Sequence, residues 1–290
     1  MRKIIRIFVL LFLAVTSLAG CRGSVTSGFD TSKSISVISR EDGSGTRGAF
    51  IELFGIEVKG DDGSKKDMTT KEAIIANQTN VLMTKVTGDK YAIGYISLGS
   101  LGETVKAVQI EGVSASSENV KNGTYPISRP FNISTKGEPT GLVKDFIDFI
   151  LSAEGQALAS QSYIAVNDSA AAYTGSKPSG KIVVAGSSSV SPLMEKLIEA
   201  YKAVNPGAVI ELQTNDSSTG MTSAIDGICD IGMASRELKD SELAELTAIQ
   251  IALDGLVVIV NQENPAANLT KEQVKLIFTG ETLVWSDVSR

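Results

Sequence analysis

The sequence predicts an α/β protein, and three observations support that fold class. Short runs of β-branched residues alternate along the chain with amphipathic segments of helical period. Turns rich in Gly and Ser join several of these runs to the segment that follows. The composition, 42% hydrophobic and 21% charged, is that of an ordinary globular protein. Because alternation of strand and helix is typical of layered α/β folds, the chain is assigned to that class.

Residues 1–20 are predicted to be a targeting segment that is removed. Basic residues precede and interrupt an apolar run over residues 7–15, which is too short to span a bilayer. The segment ends in Leu18-Ala-Gly-Cys21, which resembles a bacterial lipobox, where cleavage leaves Cys21 first with a lipid on its thiol. An ordinary secretory signal is the alternative. Residues 21–33 are small and polar, as in a flexible tether. About 270 residues then remain, enough for one large or two medium domains.

Charge and residue usage exclude several classes of protein. The net charge of −6 disfavours nucleic acid and acidic membrane surfaces as partners, so membrane contact is expected through the lipid alone. The chain has no His and two Cys, so the common zinc sites and His-dependent nucleophilic catalysis cannot be built. With Cys21 lipidated, Cys229 has no disulfide partner and is interpreted as a small buried residue. Neither a metal nor a cofactor is predicted.

The stretch Ser39–Phe50 carries the first functional signal. Ile35–Ile38 is predicted to be a strand, and the apolar residues from Ala49 to Phe54 predict a helix. The turn Asp42-Gly-Ser-Gly-Thr46 between them offers backbone amides and two hydroxyls at a helix N-terminus, which is how proteins hold an anion. Arg40 adds a guanidinium fork. A capped helix after a strand, with no ligand, would also have this pattern.

The chain repeats this arrangement twice. Gly186-Ser-Ser-Ser189 follows the predicted strand Lys181–Ala185 and precedes a helix. Asn215-Asp-Ser-Ser-Thr-Gly220 lies between the predicted strand Ala208–Leu212 and a short helix near Met221–Ile225. If the three loops converge, their hydroxyls and amides surround a desolvated tetrahedral oxyanion with neutral donors.

The remaining elements are predicted from the same patterns. Further strands are expected at Tyr91–Ile96, Val105–Ile110, Arg129–Ser134 and Gly255–Val260. Further helices are expected near Thr70–Ile75, at Leu142–Leu158 and at Ser241–Leu246. The helix after the Gly186–Ser189 loop is expected to end at about Val204. A last helix is expected to be capped by Asn268 or Thr270 and to end at Gly280. Lys59–Lys66 is interpreted as a charged loop, and residues 167–180 as a linker.

Several separated motifs carry a resemblance that covers nearly all of residues 34–288. They are Ala185-Gly-Ser-Ser-Ser-Val-Ser-Pro192, Ser217-Ser-Thr-Gly220, Asp230-Ile-Gly-Met-Ala-Ser-Arg236, Asn268-Leu-Thr through Ile277-Phe-Thr-Gly280, Ser39-Arg-Glu-Asp-Gly-Ser-Gly-Thr46 and Ala92-Ile-Gly-Tyr-Ile96. Together they resemble phosphate-binding lipoproteins, the substrate-binding subunits of phosphate ABC transporters. The resemblance implies a two-lobed periplasmic-binding-protein type II fold that closes on inorganic phosphate and passes it to permease subunits.

Matched residue by residue, the resemblance also implies a ligand set. The implied anion ligands are Arg40, Ser44, Gly45 and Thr46 from one lobe, and Ser188, Ser189 and Ser217 from the other. Asp42 occupies the position of an acid that restrains the ligand arginine. Arg236 stands where well-known members have an Asp that accepts the proton of hydrogen phosphate, and an arginine offers no acceptor. Asp216 could take that role, or no residue does.

The order of the motifs departs from the family, because the segment around Arg40 comes first here and last there. The chain therefore resembles a circular permutant, with the old termini joined through residues 167–180. One lobe is then built from 34–126 plus 262–290, and the other from 127–261. The alternatives are a fusion of parts of two neighbouring gene products, or a swapped dimer.

Three functions of different classes follow from the sequence. The first is the phosphate receptor, with sulfate or molybdate as alternative oxyanions. The second is a phosphate-ester hydrolase with Ser44 or Ser188 as nucleophile, which is disfavoured because no base, catalytic lysine motif or metal signature accompanies either serine. The third is a non-transporting product of gene rearrangement.

Overall fold

The computed structural model describes residues 28–60 and 64–288. The predicted targeting segment, Cys21 and most of the predicted tether lie outside these ranges. Within them, no helix is long and apolar enough to cross a membrane.

Strands and helices alternate along the described chain, as the α/β assignment expects. The strands are β1 (Ser36–Arg40), β2 (Glu57–Lys59), β3 (Lys65–Asp67), β4 (Ile74–Ala76), β5 (Ala92–Ser97), β6 (Val105–Ala107), β7 (Gln109–Ile110), β8 (Ser128–Thr135), β9 (Ile164–Ala165), β10 (Gly180–Ser187), β11 (Ala208–Asn215), β12 (Ile231–Ala234), β13 (Thr247–Asn261) and β14 (Asn268–Leu269). The helices are α1 (Gly45–Leu53), α2 (Thr79–Gly88), α3 (Ser117–Lys121), α4 (Gly141–Leu151), α5 (Ala153–Ala159), α6 (Ser191–Val204), α7 (Ser217–Ile225), α8 (Asp240–Leu243) and α9 (Lys271–Thr279).

The main β-structure runs in the order β11-β10-β12-β8-β13-β5-β1-β4, and β6 and β9 also pair with β13. β10 is parallel to β11 and to β12, and β1 is parallel to β5 and to β4. β13 is antiparallel to β8 and to β5. The two parallel groups are thus connected through antiparallel strands at the centre, and in each group a loop after a strand leads to a helix.

Strand β13 is the element that the two groups share. Its first part, Thr247–Gly255, pairs with β8, and the part from Leu256 to Val260 pairs with β5. A buried ion pair lies at the change of partner, where Arg129 Nη2 is 3.1 Å from Asp254 Oδ2. Burial raises the pKa of Asp254 to about 6 although Arg129 opposes the shift. One continuous strand therefore joins both groups, and a buried charge pair lies at the junction.

Two of the hydrophobic clusters among the described residues lie on the two parts of this β-structure, one on each. The larger one packs α4 and α6, through Phe146 and Leu197, against Val184 and Ile231 of the sheet. The smaller one packs Leu82 and Val86 of α2 on residues of β1, β5 and β13. Each parallel group thus has its own apolar core.

Four local predictions need correction. The expected helix near Thr70–Ile75 is a turn followed by β4, whose β-branched residues extend along β1. The expected helix Leu142–Leu158 is interrupted at Ser152, which caps α5 by accepting a hydrogen bond from the Gly155 amide. The expected strand Val105–Ile110 is divided into β6 and β7. The described ends of Lys59–Lys66 form part of the β2–β3 pair rather than an open loop.

The first and last parts of the described chain lie side by side. The Ile35 amide donates to the Leu283 carbonyl at 2.8 Å, and the Ser286 amide donates to the Thr31 carbonyl at 2.7 Å. An antiparallel bridge lies between these two hydrogen bonds. Residues 31–35 and 283–286 therefore pair within one molecule.

The predicted linker carries no strand or helix before β10, but it is held against the body of the protein. Tyr173 packs edge-on against Phe149 with ring centroids 5.4 Å apart. The buried carboxylate of Asp145 accepts hydrogen bonds from the Tyr173 hydroxyl, from the Tyr201 hydroxyl at 2.6 Å and from the Ser176 amide at 2.7 Å. These bonds outweigh the effect of burial and lower the pKa of Asp145.

We expect Asp145→Asn to lower the free energy of unfolding by about 2 kcal/mol at pH 7, because hydrogen bonds to a charged acceptor are lost. The pKa of Asp145 lies below its ordinary 3.8 in the folded chain, so the stabilisation is present above that value and lost as the pH falls through the folded pKa. The difference in unfolding free energy between Asp145→Asn and wild type should therefore become smaller as the pH falls. Thermal unfolding from pH 7 to pH 3 measures it.

Asp148→Asn is the matched control, since Asp148 lies on the same helix and forms an exposed pair with Lys144. Equal stabilities of the two variants at pH 7 would contradict the role given to Asp145.

Candidate functional site

The three hydroxyl-bearing loops converge on one buried region. The loop at Asp42–Thr46 follows β1 and leads into α1, and the loop at Gly186–Ser189 leads from β10 into α6. The loop at Asn215–Gly220 follows β11 and continues into α7, capped by Asp216. The Ser218 amide donates to the Gly43 carbonyl at 3.2 Å, so the first and third loops are in direct contact.

Arg40 is the buried charge of this region, with 2% of the residue exposed. Its Nη2 donates to Ser188 Oγ at 3.0 Å and its Nη1 to Thr79 Oγ1 at 3.2 Å. Glu41 accepts from Nε at 2.8 Å and from Nη2 at 2.7 Å, a two-point ion pair. Four hydrogen bonds thus fix the guanidinium between the first loop, the second loop and α2.

The backbone of Arg40 is fixed as well. Its amide donates to the Tyr95 hydroxyl at 3.1 Å, and that hydroxyl shares a 2.8 Å hydrogen bond with Ser39. The Tyr95 ring stacks on Phe50 with centroids 3.8 Å apart. Arg47 Nη1 donates to the Arg40 carbonyl at 2.8 Å. Apolar stacking in the core therefore sets where the guanidinium emerges from β1.

Hydroxyl groups from the first two loops meet beside the guanidinium. Thr46 Oγ1 and Ser189 Oγ share a hydrogen bond of 2.7 Å, although 143 residues separate them in the sequence. Ser44 caps α1 by accepting from the Arg47 amide at 3.4 Å. All the loop hydroxyls that the sequence singled out are buried: Ser44, Thr46, Ser188, Ser189 and Ser217.

Ser217 brings in the third loop through two further serines. Its Oγ accepts a hydrogen bond from the Ser235 amide at 3.1 Å, and the Ser187 hydroxyl donates to Ser235 Oγ at 2.9 Å. Gly45 lies directly against this group, because a Cβ at Gly45 would stand 2.4 Å from Ser217 Oγ and 3.0 Å from Ser235 Oγ. The absence of a side chain at Gly45 is what allows the loops to touch.

Asp42 does not restrain Arg40 in this structure. Its side chain is 96% exposed and pairs with Arg47 Nη1 at 2.8 Å. Glu41, the residue between them, takes the position on the guanidinium, because it leaves the end of β1 on the buried side. The sequence therefore predicts an acid beside Arg40 correctly but assigns it to Asp42, one position after Glu41, which forms the pair.

Arg236 lies beside the first loop but its charge is directed elsewhere. Its two terminal nitrogens donate to Glu242 at 2.7 and 2.8 Å, and Nη2 also contacts Ser218 Oγ at 3.3 Å. Burial raises the pKa of Glu242, but the bonds from Arg236 and from the Lys239 amide outweigh it and lower that pKa. Arg236 thus supports the loops as half of a neutral pair.

The carboxylate of Asp216, like the guanidinium of Arg236, already has partners within the protein. Its Oδ1 accepts from the Thr219 amide at 2.9 Å and its Oδ2 from the Thr219 hydroxyl at 2.6 Å. The carboxylate sits against Gly43, where a Cβ would come within 2.3 Å of Oδ1. In this geometry Asp216 caps α7 and packs on the first loop.

Sequence reasoning did not single out several residues whose side chains contact the predicted set, among them Glu41, Thr79, Ser187 and Ser235. Glu41 and Ser235 stand inside motifs already recognised, and Ser187 directly precedes two predicted ligands, so adjacency was a usable signal. Thr79 had none, because it begins helix α2, which the pattern of Thr, Asn and Val residues does not predict.

A cleft of about 440 Å³ adjoins the site, and Thr79 and Ser188 line it together with Ser100, Glu195 and Thr214. In the described residues no three acidic or cysteine side chains group as metal ligands. The donors gathered here are one guanidinium, several hydroxyls and the amides of helix starts, which is chemistry suited to an anion.

Comparisons with known proteins identify the family of this chain. A family model described as a PBP superfamily domain matches residues 27–154 and 171–289. The chain is 51% identical over 280 residues to "Phosphate-binding protein PstS 2" of Streptococcus agalactiae, covering 96% of this chain and 95% of the relative. It is 46% identical over 267 residues to the protein of the same name from Streptococcus pneumoniae, covering 91% of each.

A solved structure gives the same result for the fold. It is described as a phosphate ABC transporter, phosphate-binding protein from Streptococcus pneumoniae, and it matches with a TM-score of 0.70 at 46% identity. The match covers 88% of this chain and 99% of the solved chain. These relatives are named as phosphate-binding proteins, not as enzymes, and their full-length alignment means that they share the order of segments seen here.

We expect Gly45→Ala to cost about 1–3 kcal/mol of unfolding free energy, because the new methyl group overlaps the buried Ser217 hydroxyl, which would have to give up its hydrogen bond from the Ser235 amide. Chemical denaturation measures the loss. Gly48→Ala is the matched control on the same helix, since its Cβ would meet nothing closer than 3.9 Å. It should gain about 0.5–1 kcal/mol from helix propensity. A neutral Gly45→Ala would mean that the loops are not in contact in solution.

Proposed function

The chain belongs to the PBP superfamily and, within it, to the phosphate-binding proteins of ABC transporters, and from this premise we propose that it binds inorganic phosphate as a lipid-anchored extracytoplasmic receptor. It holds the anion in a cleft between two lobes and delivers it to an ABC permease. The observation that carries the proposal is a buried guanidinium, Arg40, that is bonded to the Ser188 hydroxyl of a distant loop, while the Thr46 and Ser189 hydroxyls join the same two loops. The names of the full-length relatives support the same ligand.

The proposed ligands are the predicted ones: Arg40, Ser44, Gly45, Thr46, Ser188, Ser189 and Ser217. A tetrahedral anion offers several acceptor oxygens, and each buried hydroxyl or amide can donate to one of them. Because Arg40 is already paired with Glu41, the donors around the anion are mostly neutral dipoles, and the positive charge is not left alone when the site is empty. Binding then replaces hydroxyl–hydroxyl contacts by stronger bonds to a charged acceptor.

We also propose that this order of segments, which the full-length relatives share, is a circular permutation of the order in other phosphate-binding lipoproteins, folded as a closed monomer. The pairing of residues 31–35 with 283–286 inside one molecule supports this, because a new opening must leave its two sides adjacent. The irregular stretch before β10 supports the junction of the old termini. The two lobes would be 34–126 plus 262–290, and 127–261, meeting along β13.

Titration calorimetry of the full chain with phosphate tests the function. Wild type should release or absorb heat with phosphate, and Arg40→Ala should weaken binding by about 100-fold or more, because truncating a buried partner leaves the anion unpaired. Arg47→Ala removes a charge whose contacts among the described residues are the Arg40 carbonyl and two carboxylates, so it should weaken phosphate binding by no more than about tenfold.

Two results would contradict the proposal. Heat with sulfate or molybdate but none with phosphate would identify a different oxyanion. Equal affinities of Arg40→Ala and Arg47→Ala for phosphate would remove Arg40 from the site. Turnover of p-nitrophenyl phosphate by the pure chain would instead support the hydrolase.

The anchor has its own test. Cys21→Ser should abolish incorporation of labelled palmitate and move the chain from the membrane fraction to the soluble fraction, since the lipid is the proposed anchor. Cys229→Ser should leave both unchanged, because Cys229 is buried and burial raises the pKa of its thiol to about 11. Membrane association that persists in Cys21→Ser would exclude lipidation at this residue as the anchor.

A further inference from the structure

Thr79 stands where the site's contacts meet, on an element that none of the three loops includes. Its Oγ1 receives a hydrogen bond from Arg40 Nη1 at 3.2 Å. The same oxygen lies 3.2 Å from Ser189 Oγ and 3.4 Å from Ser188 Oγ. The residue is 6% exposed. One hydroxyl of α2 thus touches the guanidinium and both central serines of the second loop.

The proton of this hydroxyl is directed by Arg40. A threonine hydroxyl carries one proton and two lone pairs, and Arg40 can only donate. Since Arg40 occupies an acceptor position of Thr79, the Thr79 proton points away from the guanidinium, toward Ser188 and Ser189 or toward an acceptor lying between them. A hydroxyl that accepts from a cation is also polarised into a better donor.

The position of Thr79 at the start of α2 also favours a negative charge beside its hydroxyl. Thr79 is the first residue of α2, which runs ten residues to Gly88, and its cap Gln78 makes no side-chain capping bond. The positive end of the helix dipole therefore lies at this hydroxyl, where a negative charge is favoured. Thr79 also lines the 440 Å³ cleft with Ser188, so it contacts both the cleft and Arg40.

We propose that Thr79 is a further ligand of the bound anion, contributed by a fourth element of the fold. It donates its hydroxyl proton to a phosphate oxygen that displaces the Ser188 and Ser189 contacts, while Arg40 holds the Thr79 oxygen. The inference rests on the proposed phosphate site. It assigns to α2 a part in binding that the motif pattern of the three loops does not contain.

Calorimetric titration of inorganic phosphate into the full chain tests this with isosteric variants. Thr79→Val keeps the volume of the side chain and removes the donor, so it should weaken binding about tenfold or more. Thr79→Ser keeps the donor and should stay within about threefold of wild type. Thr84→Val is the matched control on the same helix, because the exposed Thr84 hydroxyl bonds only to the Asn80 carbonyl in the described contacts.

The outcomes distinguish a failure of the Thr79 inference from a failure of the proposed receptor function. If wild type binds phosphate and Thr79→Val binds it equally well, the Thr79 inference is overturned and the receptor function stands. If wild type does not bind phosphate, the proposed function is contradicted, and the Thr79 inference that rests on it is overturned with it. Melting temperatures without phosphate must match between wild type and Thr79→Val for the loss to be assigned to a ligand contact.

If Thr79→Val does not fold, a crystal structure of the wild-type chain with phosphate decides. A phosphate oxygen within hydrogen-bond distance of Thr79 Oγ1 supports the inference. A Thr79 hydroxyl that bonds only to Arg40 and the two serines, with phosphate elsewhere, overturns it.

Discussion

A buried guanidinium cannot be left without partners, and the site is built around that constraint. Removing a charged group from water costs several kcal/mol unless hydrogen bonds and an opposite charge replace the water. Arg40 meets the constraint through Glu41, Thr79 and Ser188, which come from three different parts of the chain. The need to satisfy one cation thereby fixes the end of β1, the start of α2 and the second loop relative to each other.

The same logic operates a short distance away, at the strand that both sheet groups share. Asp254 on β13 accepts from the Ser97 hydroxyl at 2.8 Å and pairs with Arg129, and Arg129 Nη1 donates to the Ser235 carbonyl at 3.1 Å. The Ser235 amide in turn donates to Ser217 in the site. A continuous set of buried polar contacts therefore runs from the central strand to a proposed ligand, so the position of the third loop depends on that of β13.

Sequence reasoning was accurate where short local rules decide the structure. Gly280 ends α9 in the left-handed region at φ 80° and Thr270 caps its start, as their residue types predict. It failed where tertiary contacts decide. The extended conformation of Ile74 and Ile75 comes from pairing with β1, and the acid on Arg40 is chosen by which side of a strand end is buried. The periodicity of the sequence predicts neither the strand at Ile74–Ile75 nor the choice of acid. Thr79 was missed for the same reason, because it reaches the site only through tertiary contacts.

The pairing between residues 31–35 and 283–286 has a mechanical consequence. In an antiparallel pair, both outer residues, Thr31 and Ser286, lie at the same end of the ladder. Tension applied through those two points opens the hydrogen bonds one after another, as a zipper opens, and never loads them all in parallel. The seam would therefore yield at a lower force than a ladder of the same length whose hydrogen bonds are all loaded together.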